Sequence, residues 1–234
     1  MVNLKSPEQI EMIAASARIL AKTMKILKKN IKRGVSLKQL DELARKFIAE
    51  DRAEPAFLGH RPGGARHPYP YSICASVNNV IVHGRPSDYK LRAGDVLKID
   101  LGVKYKDFCS DAAFTIIIDK GTKEAENLVQ ATRKAFEEAV KYIKAGNHLG
   151  DVSWVIEKTA KKFGVKVIRQ LTGHGIGKEL HEEPTIYNFG KKGQGIELKP
   201  GMVLAIEPMF AIGSSEVIQL KDESWATSDG SLSA

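Results

Sequence analysis

Two carboxylates frame the stretch GDVLKIDLGVKYKDFCSD, residues 94–111 of this 234-residue chain. A sheet-forming run, Val96-Leu97-Lys98-Ile99, ends at Asp100, and Asp111 follows eleven residues later. Folding back about Tyr105-Lys106 would set Asp100 opposite Asp111, where directly paired Cβ atoms lie about 4.5–5.5 Å apart and like charges repel. Tyr105-Lys106 is not an Asn-Gly type of turn, so both acids read equally well as solvated loop residues. A cation between them reverses the sign of the interaction, because hard divalent metals are held by carboxylate oxygens.

An internal repeat adds a third acid. LRAGDVLKID (91–100) aligns with LKPGMVLAIE (198–207), so that Asp100 falls on Glu207. IKRGVSL (31–37) matches IKAGNHL (143–149), and VHG (82–84) has GHG (173–175) as a counterpart. Two related halves, roughly 1–120 and 121–234, packed face to face would bring Asp100 and Glu207 together from opposite sides of one cleft. Asp100, Asp111 and Glu207 are hard oxygen ligands, and His174 in TGHGIG adds an imidazole. Such a mixed set suits Mn, Fe, Co or Zn better than Mg or Ca alone. A carboxylate can also bridge two ions about 3.5–4 Å apart and activate water between them. Singly, each acid reads as a salt-bridge or turn residue and each histidine as surface or core. Their joint fit to the repeat is what singles them out.

The elements that must position these residues are legible as two pairs of helices. Ser6-Pro7-Glu8-Gln9 is a capping box with Pro at the first helical position. Ile10, Ile13, Ala17, Leu20, Met24 and Leu27 follow as one apolar stripe. Ser36 to Gln39 repeats the box before a shorter helix with Leu40, Leu43 and Phe47 inward. The second pair begins after Thr122 and after Leu149, the latter carrying Val152, Val155, Ile156 and Phe163.

Composition sets outer bounds. A 43% hydrophobic, 27% charged chain of this length supports one sizeable core. No apolar run approaches the roughly 20 residues of a membrane helix, and the start at Met1 carries no secretory segment. Cys74 and Cys109 make no disulfide framework and fit a reducing cytoplasm. The net charge of +8 sits in Lys-rich runs such as Lys28-Lys29 and Lys191-Lys192. These read first as solvated surface and only secondarily as transient contact with ribosomal RNA. No specific nucleic-acid partner is expected, and the chain is expected to be monomeric.

With these residues in hand, the chain resembles the type I methionine aminopeptidases from Ser6 to Ala234. The resemblance rests on SVNNVIVHGRP (76–86), IDLG and SD within 99–111, GHGIGKELHEEP (173–184), GMVLAIEPM (201–209) and DGSLSA (229–234). It implies an α+β pita-bread (creatinase/aminopeptidase) fold, two pseudo-symmetric halves with an antiparallel sheet flanked by helices, in a single catalytic domain. It implies two divalent metal ions, Co, Mn, Fe or Zn, and removal of the initiator Met from nascent polypeptides whose second residue is small. By motif position Asp100 resembles the bidentate ligand of one metal, and Asp111 a carboxylate bridging both. His174 and Glu207 resemble ligands of the other, Glu207 also orienting the attacking water. His83 resembles the histidine that contacts substrate near the scissile bond, and His181 the one that stabilises the tetrahedral intermediate. Tyr69, Cys74 and Trp225, with His67 nearby, are implied walls of the methionine pocket, where sulfur–aromatic contacts suit a thioether.

Two departures from the family pattern stand out. Leu180 occupies the place where bacterial relatives commonly carry Phe. The family also continues past SLSA to a glutamate that bridges the metals, whereas these 234 residues stop at Ala234. The chain is therefore expected to be truncated relative to the family, with a weak second metal site and impaired activity. Prolidases and Xaa-Pro aminopeptidases, which share fold and metal set, are one alternative reading. A metal-poor, non-catalytic pita-bread binding module is another.

Overall fold

The computed structural model describes residues 2–61 and 65–234. The first half runs α1 (Pro7–Asn30), α2 (Leu37–Glu50), β1 (Glu54–Pro55), β2 (Cys74–Val77), β3 (Val80–Val82), β4 (Val96–Tyr105) and β5 (Phe108–Ile117). The second runs α3 (Lys123–Val140), α4 (Leu149–Phe163), β6 (Lys166–Val167), β7 (Thr172–Gly175), β8 (Glu182–Tyr187), β9 (Leu204–Ala205), β10 (Phe210–Ala211), β11 (Val217–Gln219) and β12 (Trp225–Thr227).

Local chemistry starts each helix. Ser6 Oγ accepts from Gln9 N–H, and Gln9 Oε1 accepts from Ser6 N–H; Ser36 and Gln39 repeat the exchange. Thr122 caps α3 through the N–H of Ala125. The buried face of α1 is Ile13, Ser16, Leu20, Thr23 and Leu27, not the expected stripe through Ala17 and Met24, and Ile10 is exposed. Ser16 joins this face because its hydroxyl reaches the carbonyl of Val103 and the hydroxyl of Ser110, both at 2.8 Å.

The long hairpin β4–β5 carries the two aspartates. Its loop is Lys106-Asp107, with φ of 47° and 66°, the doubly left-handed geometry that suits a right-handed strand twist. The turn thus sits one residue beyond the expected Tyr105-Lys106. Asp100 pairs with Ala113 and Asp111 with Gly102, so the acids are diagonal neighbours rather than directly opposed. The displacement is an even number of residues in register, so both remain on one face of the hairpin.

The two halves repeat their backbone bonds as well as their motifs. Leu91 N–H reaches Val35 O and Gly34 N–H reaches Leu91 O; in the second half Leu198 N–H reaches Asn147 O and Gly146 N–H reaches Leu198 O. Single β-bridges join Ser36 to Lys90 and His148 to Glu197. Both strand entries turn on a left-handed glycine, Gly94 and Gly201, at φ of 87° and 91°. One detail differs from the expected alignment. His174 pairs with Ala205, two residues before Glu207, and Ser76 pairs with Lys98, two before Asp100. The positional counterpart of His174 is therefore Ser76, and the match of VHG to GHG is not a structural one. Each half has its own apolar cluster, one around Leu27, Leu40, Ile48 and Ile99, the other around Leu128, Val152, Ile156 and Phe210.

Candidate metal centre and cavity

His174 stands on β7 between two glycines. A Cβ at Gly173 would drive into the carbonyl of Ala205, and one at Gly175 into that of Glu183. Only glycine lets β7 lie this close to both neighbouring strands. His174 Nδ1 donates to Gly175 O at 2.8 Å, which leaves Nε2 as the lone-pair nitrogen, as in imidazoles that bind metals. Nε2 lies 3.0 Å from Glu207 Oε1 and 3.5 Å from Asp111 Oδ2. Ligand-capable atoms of Asp111, His174 and Glu207 all fall within 4.8 Å of one another.

Two oxygens in this group lack donors. Asp111 Oδ1 and Glu207 Oε1 are buried without a hydrogen-bond partner among the described residues. Glu207 Oε1 is at ion-pair distance from His174 but without hydrogen-bond geometry. Burial, then the carboxylates of Asp111 and Glu207, push Asp100 well above the usual carboxylate range. Burial likewise raises Glu207. For His174 burial acts downward, yet the close carboxylates of Asp111 and Glu207 hold it up to about 10. Packed carboxylates of one sign relieve their repulsion either by taking up protons, the direction in which Asp100 and Glu207 are pushed, or by taking up a cation. The donor set fits such an ion.

These groups form the polar end of a cavity of about 630 Å³. Asp100, on the same hairpin face as Asp111, lines it beside the group of three. His83 and His181 line it as well. His83 is held in the left-handed region at φ 58°, an uncommon conformation for a non-glycine residue and one that clusters at functional sites. Burial lowers the pKa of His83. Burial of the ring, then the imidazoles of His174, His60 and His83, lower that of His181 to about 3, although the residue as a whole is exposed. The rings of His174 and His181 meet edge to face at 4.4 Å.

The apolar end consists of Phe57, Tyr69, Cys74 and Leu180, which pack in one cluster. Tyr69 is fixed by its hydroxyl, which donates to Ile73 O at 3.0 Å and to Gly84 O at 2.9 Å. Burial pushes the Cys74 thiol far up, which removes it as a thiolate nucleophile and leaves it a wall.

Two residues expected near this pocket lie elsewhere. Trp225 pairs with Val82 and Gln219 in the sheet of β3, β12 and β11 and is not part of the cavity wall. His67 is three-quarters exposed and bonds Glu223 Oε1 at 2.8 Å. Glu223 thus holds the His67 ring away from the cleft. Conversely, Phe57 and His60 line the cavity without having been expected there. His60 Nε2 lies 3.1 Å from His181 Nδ1. Each is a single residue in a loop, and neither spacing nor motif marks it.

Known proteins resemble the chain over its whole length. Residues 8–228 match the model of metallopeptidase family M24. The methionine aminopeptidase of Aquifex aeolicus (strain VF5) is 40% identical over 240 residues, spanning 100% of this chain and 92% of that protein. The crystal structure of a methionine aminopeptidase from Thermotoga maritima superposes with a TM-score of 0.94 at 38% identity, covering 100% of this chain and 92% of that one. A prolidase from Pyrococcus furiosus shares the fold at a TM-score of 0.73 and 22% identity, with only 60% of its chain covered. The helix-flanked antiparallel sheets are thus the pita-bread fold, and the prolidase likeness extends to fold alone. The chain belongs to metallopeptidase family M24 and, within it, to the type I methionine aminopeptidases.

Proposed function

We propose that this protein removes the N-terminal methionine from nascent polypeptides with a small second residue, acting in the cytoplasm as a single catalytic domain of two pseudo-symmetric halves. One observation carries the reading: His174 Nε2, Asp111 and Glu207 converge, with Asp111 Oδ1 and Glu207 Oε1 unpartnered, at one end of a cavity whose other end is the apolar cluster of Phe57, Tyr69, Cys74 and Leu180. Asp111, His174 and Glu207 would hold one divalent ion, of Co, Mn, Fe or Zn type. Asp100 and a second oxygen of Asp111 would hold another, the weaker site because fewer of the described residues serve it. When bound, such ions supply Lewis acidity and lower the pKa of water held between them.

The chain's own residues do the rest. Phe57, Tyr69, Cys74 and Leu180 take up the methionine side chain; an aliphatic wall at Leu180 contacts it with less area than a phenyl ring. His83 contacts the substrate beside the scissile bond. Glu207 orients the attacking water and accepts its proton. His181 donates a hydrogen bond to the developing oxyanion, and a donor placed there contributes about 10²–10³ in rate.

Cleavage of Met-Ala-Ser, Met-Lys-Ser and Ala-Pro by protein loaded in turn with Mn²⁺, Co²⁺ and Zn²⁺ tests the proposal. Turnover of Met-Ala-Ser is expected to exceed that of the other two many-fold. Equal cleavage of the two Met peptides would refute the small-residue limit, and preference for Ala-Pro would mark a prolidase. Calorimetric titration is expected to find one tight and one weaker ion.

A further inference from the structure

We infer that His60 is a positioning residue for His181, setting which of the two His181 nitrogens faces the reaction with a proton. The inference rests on the role proposed above for His181. His60 Nε2 and His181 Nδ1 are 3.1 Å apart, with ring centroids at 5.0 Å and planes at 63°. The other face of the arrangement is closed by the His174 ring, edge to face with His181. His181 Nε2 has no hydrogen-bonding partner among the described residues, so the bond to His60 is the one that selects a tautomer. A neutral imidazole carries one N–H, and the nitrogen engaged as acceptor forces the proton onto the other. In the inferred arrangement His60 donates from Nε2, His181 Nδ1 accepts, and Nε2–H is the donor left for an oxyanion; a wild-type His181 protonated on Nδ1 would reverse the bond and overturn the inference.

His60 is well placed to impose this. Both of its backbone groups are engaged: its N–H donates to Phe57 O at 3.0 Å, and its carbonyl accepts from Tyr69 N–H at 2.8 Å. Gly59 N–H donates to Tyr69 O at 2.8 Å, so His60 rides on a short ladder with a residue of the apolar pocket. That residue is itself pinned through its hydroxyl to Ile73 and Gly84. The chain thus couples the methionine-pocket wall to the orientation of the proposed oxyanion donor.

The test compares Zn²⁺-loaded wild type with His60→Leu, which cannot donate, and His60→Gln, whose amide N–H can. Nitrogen-15 NMR of the His181 ring reports the tautomer directly. Wild type is expected to show a protonated Nε2 and an unprotonated Nδ1, His60→Leu a mixture, and His60→Gln the wild-type pattern. On Met-Ala-Ser, His60→Leu is expected to lower kcat about 10-fold, the worth of one hydrogen bond, with KM within about twofold. His60→Gln is expected to recover most of it. An unchanged His181 tautomer in His60→Leu overturns the inference. So does a rise in KM at constant kcat, which would make His60 a substrate contact, or loss of bound Zn²⁺, which would make it a ligand. If wild type does not cleave Met peptides yet the tautomer shifts in His60→Leu as described, the positioning role stands and the functional reading falls.

Discussion

Replacing Gly84 by alanine should separate the pocket from the metal group. Gly84 N–H donates to Ser76 Oγ at 3.0 Å, and its carbonyl accepts from Ala75 N–H at 2.8 Å and from the Tyr69 hydroxyl at 2.9 Å. A Cβ there would lie 2.7 Å from Ala75 O, from Ser76 Cα and from Ser76 Oγ. Two of these three atoms are backbone of β2, which is paired to β4 from Cys74 to Val77 and cannot yield alone. Relief to ordinary contact needs a shift of about 0.7 Å, and overpacking of this kind costs about 1–3 kcal/mol. For a chain of this size we expect Tm to fall by roughly 3–10 °C. The shift falls on His83 and on Tyr69, the substrate side of the cavity, and misplacement approaching 1 Å costs on the order of 10²-fold in rate. Asp111, His174 and Glu207 do not touch Gly84, so their metal affinity should change less than about threefold. Thermal melts, calorimetric titration with Mn²⁺ and kcat/KM on Met-Ala-Ser read the three quantities separately. A variant with wild-type Tm and turnover would refute the steric argument, and loss of metal affinity would refute the separation of pocket from metal group.

Three further outcomes are expected. His181→Ala should lower kcat by about 10²–10³ while bound metal, measured by elemental analysis, stays at the wild-type level; lost metal would make His181 a ligand. Asp41→Ala should lower Tm by roughly 5–15 °C, because Asp41 Oδ1 accepts from the fully buried N–H groups of Ser72 and Ile73 at 2.7 and 3.0 Å and each orphaned donor costs about 1–3 kcal/mol. Asp41→Asn keeps an acceptor and should recover most of that loss in the same melt. Adding Mn²⁺ at about 100 times its dissociation constant to chelator-stripped protein should stabilise it by about 2.7 kcal/mol, several degrees in Tm, and Glu207→Ala should abolish the shift.

What the sequence determined by itself is what depends on neighbours along the chain. The capping boxes at Ser6 and Ser36 set two helix starts because donor and acceptor lie three residues apart, whatever packs on them. The match of 91–100 to 198–207 placed Asp100 and Glu207 at like positions, two residues past Lys98 and Ala205, which pair with Ser76 and His174 on the neighbouring strands, since a repeated motif folds to a repeated bond pattern. The convergence of Asp111, His174 and Glu207 was legible because hard acids and an imidazole share few other chemistries.

Tertiary structure decided the rest, where competing local choices differ little in energy. Lys106-Asp107 forms the hairpin loop rather than Tyr105-Lys106, with Tyr105 kept in β4 and packed against the first-half core, and this moved Asp111 from Asp100 to Gly102. Ser16 entered the buried face of α1 because Val103 and Ser110 waited across the interface to satisfy its hydroxyl. The cavity wall was the least legible part. Pairing of β12 with β3 and β11 carried Trp225 away, Glu223 drew His67 outward, and the ladder to Tyr69 brought His60 in against a histidine 121 residues distant. Contacts between loops so far apart in sequence follow from how the two halves dock, which no local pattern encodes.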